Sequence, residues 1–515
     1  MKKERFVMSD HTVRPVVRAK TGSYVGVTEP NGTHSFRGIR FATFNPWERP
    51  VIVPESDACF EADTYGPSSA SGDPGSLTLA IYLNPETDDP KKKVYFWQFG
   101  SAQMGGTMDR HHYENFVKEN PDIIVVTTNH RGNVWGSLDL SLLEGYEEKE
   151  ELYNASNNLT RLDLLACLQW VHQNIACFGG DPEDITIGGH SSGSNNTTCL
   201  LMMPEAYPFF KKALCQASFS CDISLQSRET AKKVAAALFE KLGVRSVDEL
   251  LSCSREKINE AAGDLMKDAM TGALERFNME NKLFSPVMDD VVLKEDCFKN
   301  VADGVLKDKI LMFGNNSGEY DQQYERFIGQ EDGAEKALAF TIEQNWGKLS
   351  ERGWNKAHAQ DVINAFMSHN TLYGRDAFTA AKDLKNDLYL RDGAMLFALA
   401  AAPYNKTYMY YLDWSIEKEN GKRAAHGSEN DIVARRWENV PENMLETADT
   451  LSRIFASFIL TGDPVPEGEA IELKTFDREN FETLYIDENP RAVHGVRRED
   501  AELLMPLLRE YPMLP

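Results

Sequence analysis

Between residues 164 and 188 the chain commits to an alternation of helix and strand. Leu164, Cys167, Leu168, Val171, Ile175 and Phe178 recur at the spacing of one face of a 3.6-residue helix. Gly179-Gly180 then stops that helix and Pro182 prevents its continuation. The β-branched run Ile185-Thr186-Ile187-Gly188 follows as a buried strand. Further short apolar runs at Leu77–Leu83, Val94–Gln98, Ile123–Asn129, Lys309–Gly314 and Tyr408–Trp414 read the same way. Strand, helix and strand in this rhythm predict an α/β chain: a mostly parallel central sheet with helices on both faces. The sequence has 515 residues, 42% of them hydrophobic, enough for a large core. No internal repeat or long Pro/Gly/Ser linker divides it, so residues 1–515 read as one domain. Segments near 227–280 and 320–402 are mostly helical and of mixed polarity, and are expected to leave the sheet as helical cap or regulatory excursions.

Directly after the Ile185–Gly188 strand stands Gly189-His190-Ser191-Ser192-Gly193, a G-x-S-x-G pattern. Such a pattern suits a nucleophile on a sharp strand-to-helix elbow, where strand and helix approach so closely that the flanking positions need minimal side chains. The alternative is a glycine-rich loop whose serine caps the next helix. A serine hydroxyl needs a base to take its proton and an acid to orient that base. On an α/β sheet of this kind the expected chain order is Ser, then an acid, then His. Downstream of Ser191 stand His358, His369, His426 and His494. Only His426 lies in a loop just beyond a strand-like run, Tyr408–Trp414, where loops gather at the carboxyl edge of a sheet. Glu319 follows the run ending at Gly314 and is the candidate acid; on its own it would read as an acid at a helix N-terminus.

These residues resemble the type B carboxylesterase family, which includes the cholinesterases and bacterial para-nitrobenzyl esterases. "FGGDPEDITIGGHSSGS" is similar to the family block FGGDP-x-x-VTI-x-G-E-S-A-G-A, and "WVHQNIACFGGDP" to the helix before it. "SFRGIRFA" at 35–42, "FSPVMDD" at 284–290, "GNNSGE" at 314–319, "HGSEND" from His426 and "FASFILTGDP" at 455–464 match further segments in the same order. The resemblance implies an α/β-hydrolase fold with Ser191, Glu319 and His426 as catalytic triad. It also implies hydrolysis of carboxylic esters of small to medium, uncharged alcohols through an acyl-enzyme, without metal or cofactor. The same triad would also serve thioester, amide, lactone or carbamate cleavage. A binding or adhesion homologue without activity is the remaining alternative.

Three departures from the family pattern matter. Gln98-Phe99-Gly100-Ser101 replaces the H-G-G-G oxyanion loop. Oxyanion donors are backbone N–H groups, so Gly100, Ser101 and Ser192 remain the expected donors. His190 replaces the usual Glu before the nucleophile, which removes a charge that would attract a cationic alcohol. Ser69 and Ser76 stand where the family has its first disulfide. Trp97, Phe99 and Trp135, with His190, are candidate substrate contacts.

Composition narrows the partners. Lys+Arg number 55 against 79 Asp+Glu, a net charge of −24. Such a surface repels nucleic acid and anionic membrane. The basic start "MKKERFVMSDHTVRP" is not followed by an apolar stretch, so it is not expected to act as a secretion signal. No CxxC pair occurs among the eight cysteines. Adjacent His111-His112 cannot share a strand or helix face, so no metal site is expected. A cytoplasmic protein acting on a small-molecule ester is the resulting expectation.

Overall fold

The computed structural model describes residues 14–508 except 88–90, 102–104, 218–224, 272–282, 295–296, 352–355, 373, 416–421 and 439. An eleven-stranded sheet runs through it. In chain order its strands are β1 Val27–Thr28, β2 His34–Arg40, β3 Thr78–Leu83, β4 Lys92–Gln98, β5 Ile123–Thr128, β6 Gly180–His190, β7 Lys212–Gln216, β8 Ile310–Asn316, β9 Lys406–Leu412, β10 Glu482–Ile486 and β11 Arg491–His494. Their spatial order is β11-β10-β9-β8-β7-β6-β4-β5-β3-β2-β1. The interior pairs from β10 across to β5 are parallel. The pairs outside them, at both edges, are antiparallel.

Burial explains the central strands. All six residues of β5 and all five of β7 are buried, as expected of a parallel strand covered on both faces. Alternate residues divide between two cores. Val94, Phe96, Ile124, Val126, Ile185 and Ile187 face one, and Tyr95, Trp97, Ile123, Val125, Leu214 and Met312 face the other. Helix α1, Leu159–Asn174, lies on the first face, with Leu164, Cys167, Leu168 and Val171 buried. It continues as a tight turn, Ile175–Phe178, and ends at Gly179, whose φ of 87° is left-handed. The strand that follows is longer than its apolar run: β6 begins at Gly180, with its register shifted between Gly180 and Ile185.

The described parts of both segments are largely helical; residues 272–280, 352–355 and 373 of them lie outside the described residues. Arg228–Leu242 and Arg255–Met270 build an apolar cluster of their own with Trp47 and Trp135. Lys356–Leu372 and Ala377–Asn386 build another around Phe366 and Leu384. Among the described residues, no helix is long and apolar enough to cross a membrane.

Candidate active site

Ser191 sits between the end of β6 and helix α2, Ser192–Leu201, with φ 58° and ψ −125°. A non-glycine residue with positive φ carries strain of about 1–3 kcal/mol that the surroundings must impose. They do so here by close packing. A Cβ on Gly193 would lie 2.1 Å from the Gln98 carbonyl oxygen, and one on Gly189 2.6 Å from the Gly193 backbone. The two motif glycines are therefore spatial necessities. The Ser191 amide donates to Gln216 O (3.1 Å), and Ser191 O accepts from Asn195 N (3.0 Å), which pins the elbow on both sides.

Two other strand ends bring the partners. Glu319 lies just past β8, and its Oε1 accepts the Asn316 amide at 2.7 Å. His426 lies in the loop beyond β9. The two loops are tied together by Gly318 N donating to Ala424 O (2.9 Å). The His426 Nδ1–H donates to Glu319 Oε2 at 2.6 Å, and Nε2 faces Ser191 Oγ at 2.8 Å. Residues 107 and 235 positions apart in sequence thus form one hydrogen-bonded line. The His426 ring is held between Tyr320, stacked at 5.5 Å, and His190, at 4.6 Å.

His190 is a candidate substrate contact from the sequence. Its ring instead lies buried against His426, with Nε2 3.8 Å from Glu429 Oε1. Burial, and then the neighbouring His426, push its pKa well below the ordinary histidine value. Glu429 is a site residue that the sequence reading passed over, although it stands inside the "HGSEND" segment. Its Oε2 accepts from Asn316 Nδ2 at 2.6 Å. Burial, and then the charge of Glu319, raise its pKa to about 7. Asn316 therefore bridges two acids, Glu319 through its amide and Glu429 through its side chain.

On the other side of Ser191 the segment after β4 lies directly on the elbow. A Cβ on Gly100 would come within 2.4 Å of His190 O and 2.7 Å of Ser191 Cβ. Phe99 fixes this strap. Its buried ring is stacked between His111 (5.7 Å) and His130 (5.2 Å), nearly parallel to both. Trp97 is buried beside it against His111 and Tyr113. One expectation needs correcting here. The Ser101 amide does not stand open as an oxyanion donor; it donates to Ser192 Oγ at 2.8 Å. Ser192 N–H occupies the first turn of α2, whose amides have no intrahelical acceptor. Trp135 is not brought into this group. It stacks on Trp47 at 5.1 Å and donates to Asn259 Oδ1 at 2.7 Å, in the core under the first helical excursion.

The arrangement can do specific chemistry. A hydroxyl faces an imidazole nitrogen, the other imidazole nitrogen is held by a buried carboxylate, and a helix N-terminus begins at the hydroxyl. A family model described as the carboxylesterase family matches residues 13–504. The chain belongs to the carboxylesterase family. It is a carboxylic ester hydrolase by that membership. Among its relatives, the para-nitrobenzyl esterase of Bacillus subtilis (strain 168) is 27% identical over 530 residues, covering 95% of this chain and 98% of that protein. Acetylcholinesterase 1 of Caenorhabditis elegans is 27% identical over 463 residues, covering 81% and 72%. Among solved structures, a Geobacillus stearothermophilus carboxylesterase superposes with a TM-score of 0.78 at 23% identity, over 95% of this chain and all of that one, a likeness of fold. The α/β-hydrolase architecture of this carboxylesterase is therefore shared.

Proposed function

We propose that this carboxylesterase hydrolyses esters of small to medium, uncharged alcohols by a serine acyl-enzyme mechanism. In this reading Ser191 Oγ attacks the ester carbonyl as His426 Nε2 takes its proton. Glu319 holds the imidazole and stabilises the imidazolium. The alcohol leaves with the proton from His426, and water repeats the cycle on the acyl-enzyme. The amides of Gly100 and Ser192 face the developing oxyanion. The single observation behind the assignment is the continuous line Ser191–His426–Glu319, with both heavy-atom separations in hydrogen-bond range.

The choice of alcohol rests on His190. A buried imidazole with a lowered pKa is neutral at pH 7, so the elbow offers no carboxylate to a cationic alcohol from this position. The chain is read as one catalytic domain, with its two helical excursions as cap segments. A reducing, cytoplasmic setting is the reading supported by free Cys59, Cys167, Cys177, Cys199, Cys215 and Cys253. The experiment is a rate survey over p-nitrophenyl esters of increasing acyl length, with matched ester, thioester and amide substrates, and choline against neutral alcohols. Turnover of neutral esters above choline esters is expected; preference for a choline ester or for the amide would contradict the proposal.

A further inference from the structure

Arg423 stands three residues before His426, on the loop that carries it, and Asp321 two residues after Glu319. Their side chains meet as a fork. Nε of Arg423 donates to Asp321 Oδ2 at 2.9 Å, and Nη2 donates to Oδ1 at 2.6 Å. The third arm, Nη1, donates to Asp383 Oδ1 at 2.5 Å. Asp383 is buried in the helix Ala377–Asn386, part of the second helical excursion. One guanidinium therefore joins three pieces of chain: the loop of the acid, the loop of the base and the excursion. The backbone packs on the same point. A Cβ on Gly318 would lie 2.7 Å from Arg423 Cβ, so the arginine stem rests against the residue before Glu319. The same helix holds the residue after Glu319, because Asn386 Oδ1 accepts the Tyr320 amide at 3.0 Å. The Tyr320 ring in turn lies on that of His426.

We propose that Arg423 is a positioning residue: it sets the separation of Glu319 and His426 by locking their loops to each other and to the helix that carries Asp383. A guanidinium suits this task. Its planar fork fixes direction as well as distance, where an ammonium is a point charge. The precision matters because the His426–Glu319 hydrogen bond joins loops 107 positions apart. A misplacement of about 1 Å at a catalytic group can cost about 100-fold in rate. Removing the fork leaves neither acid without a cation. Asp321 keeps Lys382 at 3.0 Å, and Asp383 keeps Arg375 at 3.0 Å and Arg497 at 3.1 Å. The excursion is thus a brace for the catalytic loops. Arg423 acts through Glu319 and His426 and not on the substrate, and the inference rests on the proposed triad.

The test is Arg423→Met, which keeps the stem and removes the fork, beside Arg423→Lys, Asp321→Asn and the double variant Arg423→Met with Asp321→Asn. Fluorophosphonate labelling to completion counts working sites, and kcat for p-nitrophenyl butyrate is expressed per labelled site, so a loss of folded protein does not register. The methionine variant should lose roughly 10- to 100-fold in kcat per site. KM should stay within about twofold. Labelling should slow by a similar factor, since phosphonylation of Ser191 also needs His426 to take its proton. The lysine variant should lose less than the methionine variant. Adding Asp321→Asn to Arg423→Met should cost little more, because both cut the same link. A kcat per site that falls less than about tenfold, a loss carried by KM, or losses that multiply in the double variant would overturn the proposal. If the methionine variant does not fold, Arg423→Gln, which is polar but uncharged, is read by the same criteria. Wild type that takes no label would overturn the triad as well; labelled wild type with an unimpaired Arg423→Met would overturn only the role of Arg423.

Discussion

The imidazole rings of His190 and His426 lie 4.6 Å apart, with His190 buried behind the residue that faces Ser191. A second positive charge at this distance would oppose the imidazolium that His426 becomes in the proposed mechanism. Burial keeps His190 neutral, while Glu319 holds the other side of the His426 ring through Nδ1. The site thus sets a neutral ring and a carboxyl group around one working histidine.

Replacing Glu319 by Gln should lower kcat about 10³- to 10⁴-fold while leaving the fold intact, because the imidazole loses the partner that fixes its tautomer. Ser191→Ala should cost more than this. The kcat/KM of the wild type should rise with pH along one ascending limb as His426 deprotonates. Activity that stays flat into acid would exclude a histidine base.

Glu429 carries a sign opposite to that of an ordinary surface acid. Its carboxyl loses its proton near the usual carboxylate value in the unfolded chain but near pH 7 in the folded one. Between about pH 4.5 and 7 the folded state holds a proton that the unfolded state has released, so stability falls as pH rises through that window. Glu429→Gln removes this dependence and can still accept from Asn316. The variant should gain stability over wild type progressively from pH 4.5 to 7, read by denaturant titration. A difference that is constant with pH would contradict the account.

Three histidines act in the opposite direction. Burial lowers the pKa of His111 and of His130 to about 4, and pushes that of His190 well below the ordinary histidine value. Well above pH 6.5 these rings are neutral in both states. As pH falls from 6.5 toward 4 the unfolded chain binds protons that the folded chain does not, so stability is lost through that window. Unfolding near pH 5 should bind up to about three protons at these sites, offset by about one released from Glu429. His130→Gln should reduce the uptake by about one, measured from the slope of unfolding free energy against pH.

Arg131 and Asp163 form a fully buried pair, with Nε and Nη2 of the arginine on the two carboxylate oxygens at 2.9 and 2.7 Å. Arg131 follows His130, which supports Phe99. Asp163→Asn leaves a buried guanidinium without its counter-charge, and should destabilise by about 3–5 kcal/mol. A shift in denaturant midpoint without a change in slope is the expected result.

What the sequence discloses follows the physics of each element. Strands buried on both faces, such as Ile123–Thr128, announce themselves as apolar runs. Lys212–Gln216 does not, because it opens on a lysine; that ammonium is buried, and Asp184 neutralises it from the neighbouring strand. The outer strands His34–Arg40 and Glu482–Ile486, each next to an edge strand, carry mixed polarity and are equally silent. In the candidate site, Ser191, Glu319 and His426, which the structure brings into one hydrogen-bonded line, could be named because each proposed role demands a residue type in a set chain order. Glu429 could have been noticed as a carboxyl in the His426 loop. The turn of His190 toward His426, and the capture of the Ser101 amide by Ser192, depend on how distant loops meet; no local pattern encodes them.

The central claim is that Ser191, not its neighbour Ser192, is the nucleophile of this carboxylesterase. The direct measurement is fragment mass spectrometry of the protein after fluorophosphonate treatment, run beside Ser191→Ala. The account predicts one adduct, localised to Ser191, with ester hydrolysis lost in step with its formation and no adduct on the alanine variant. An adduct on Ser192 or elsewhere, or full inhibition of the alanine variant by the same reagent, would contradict it.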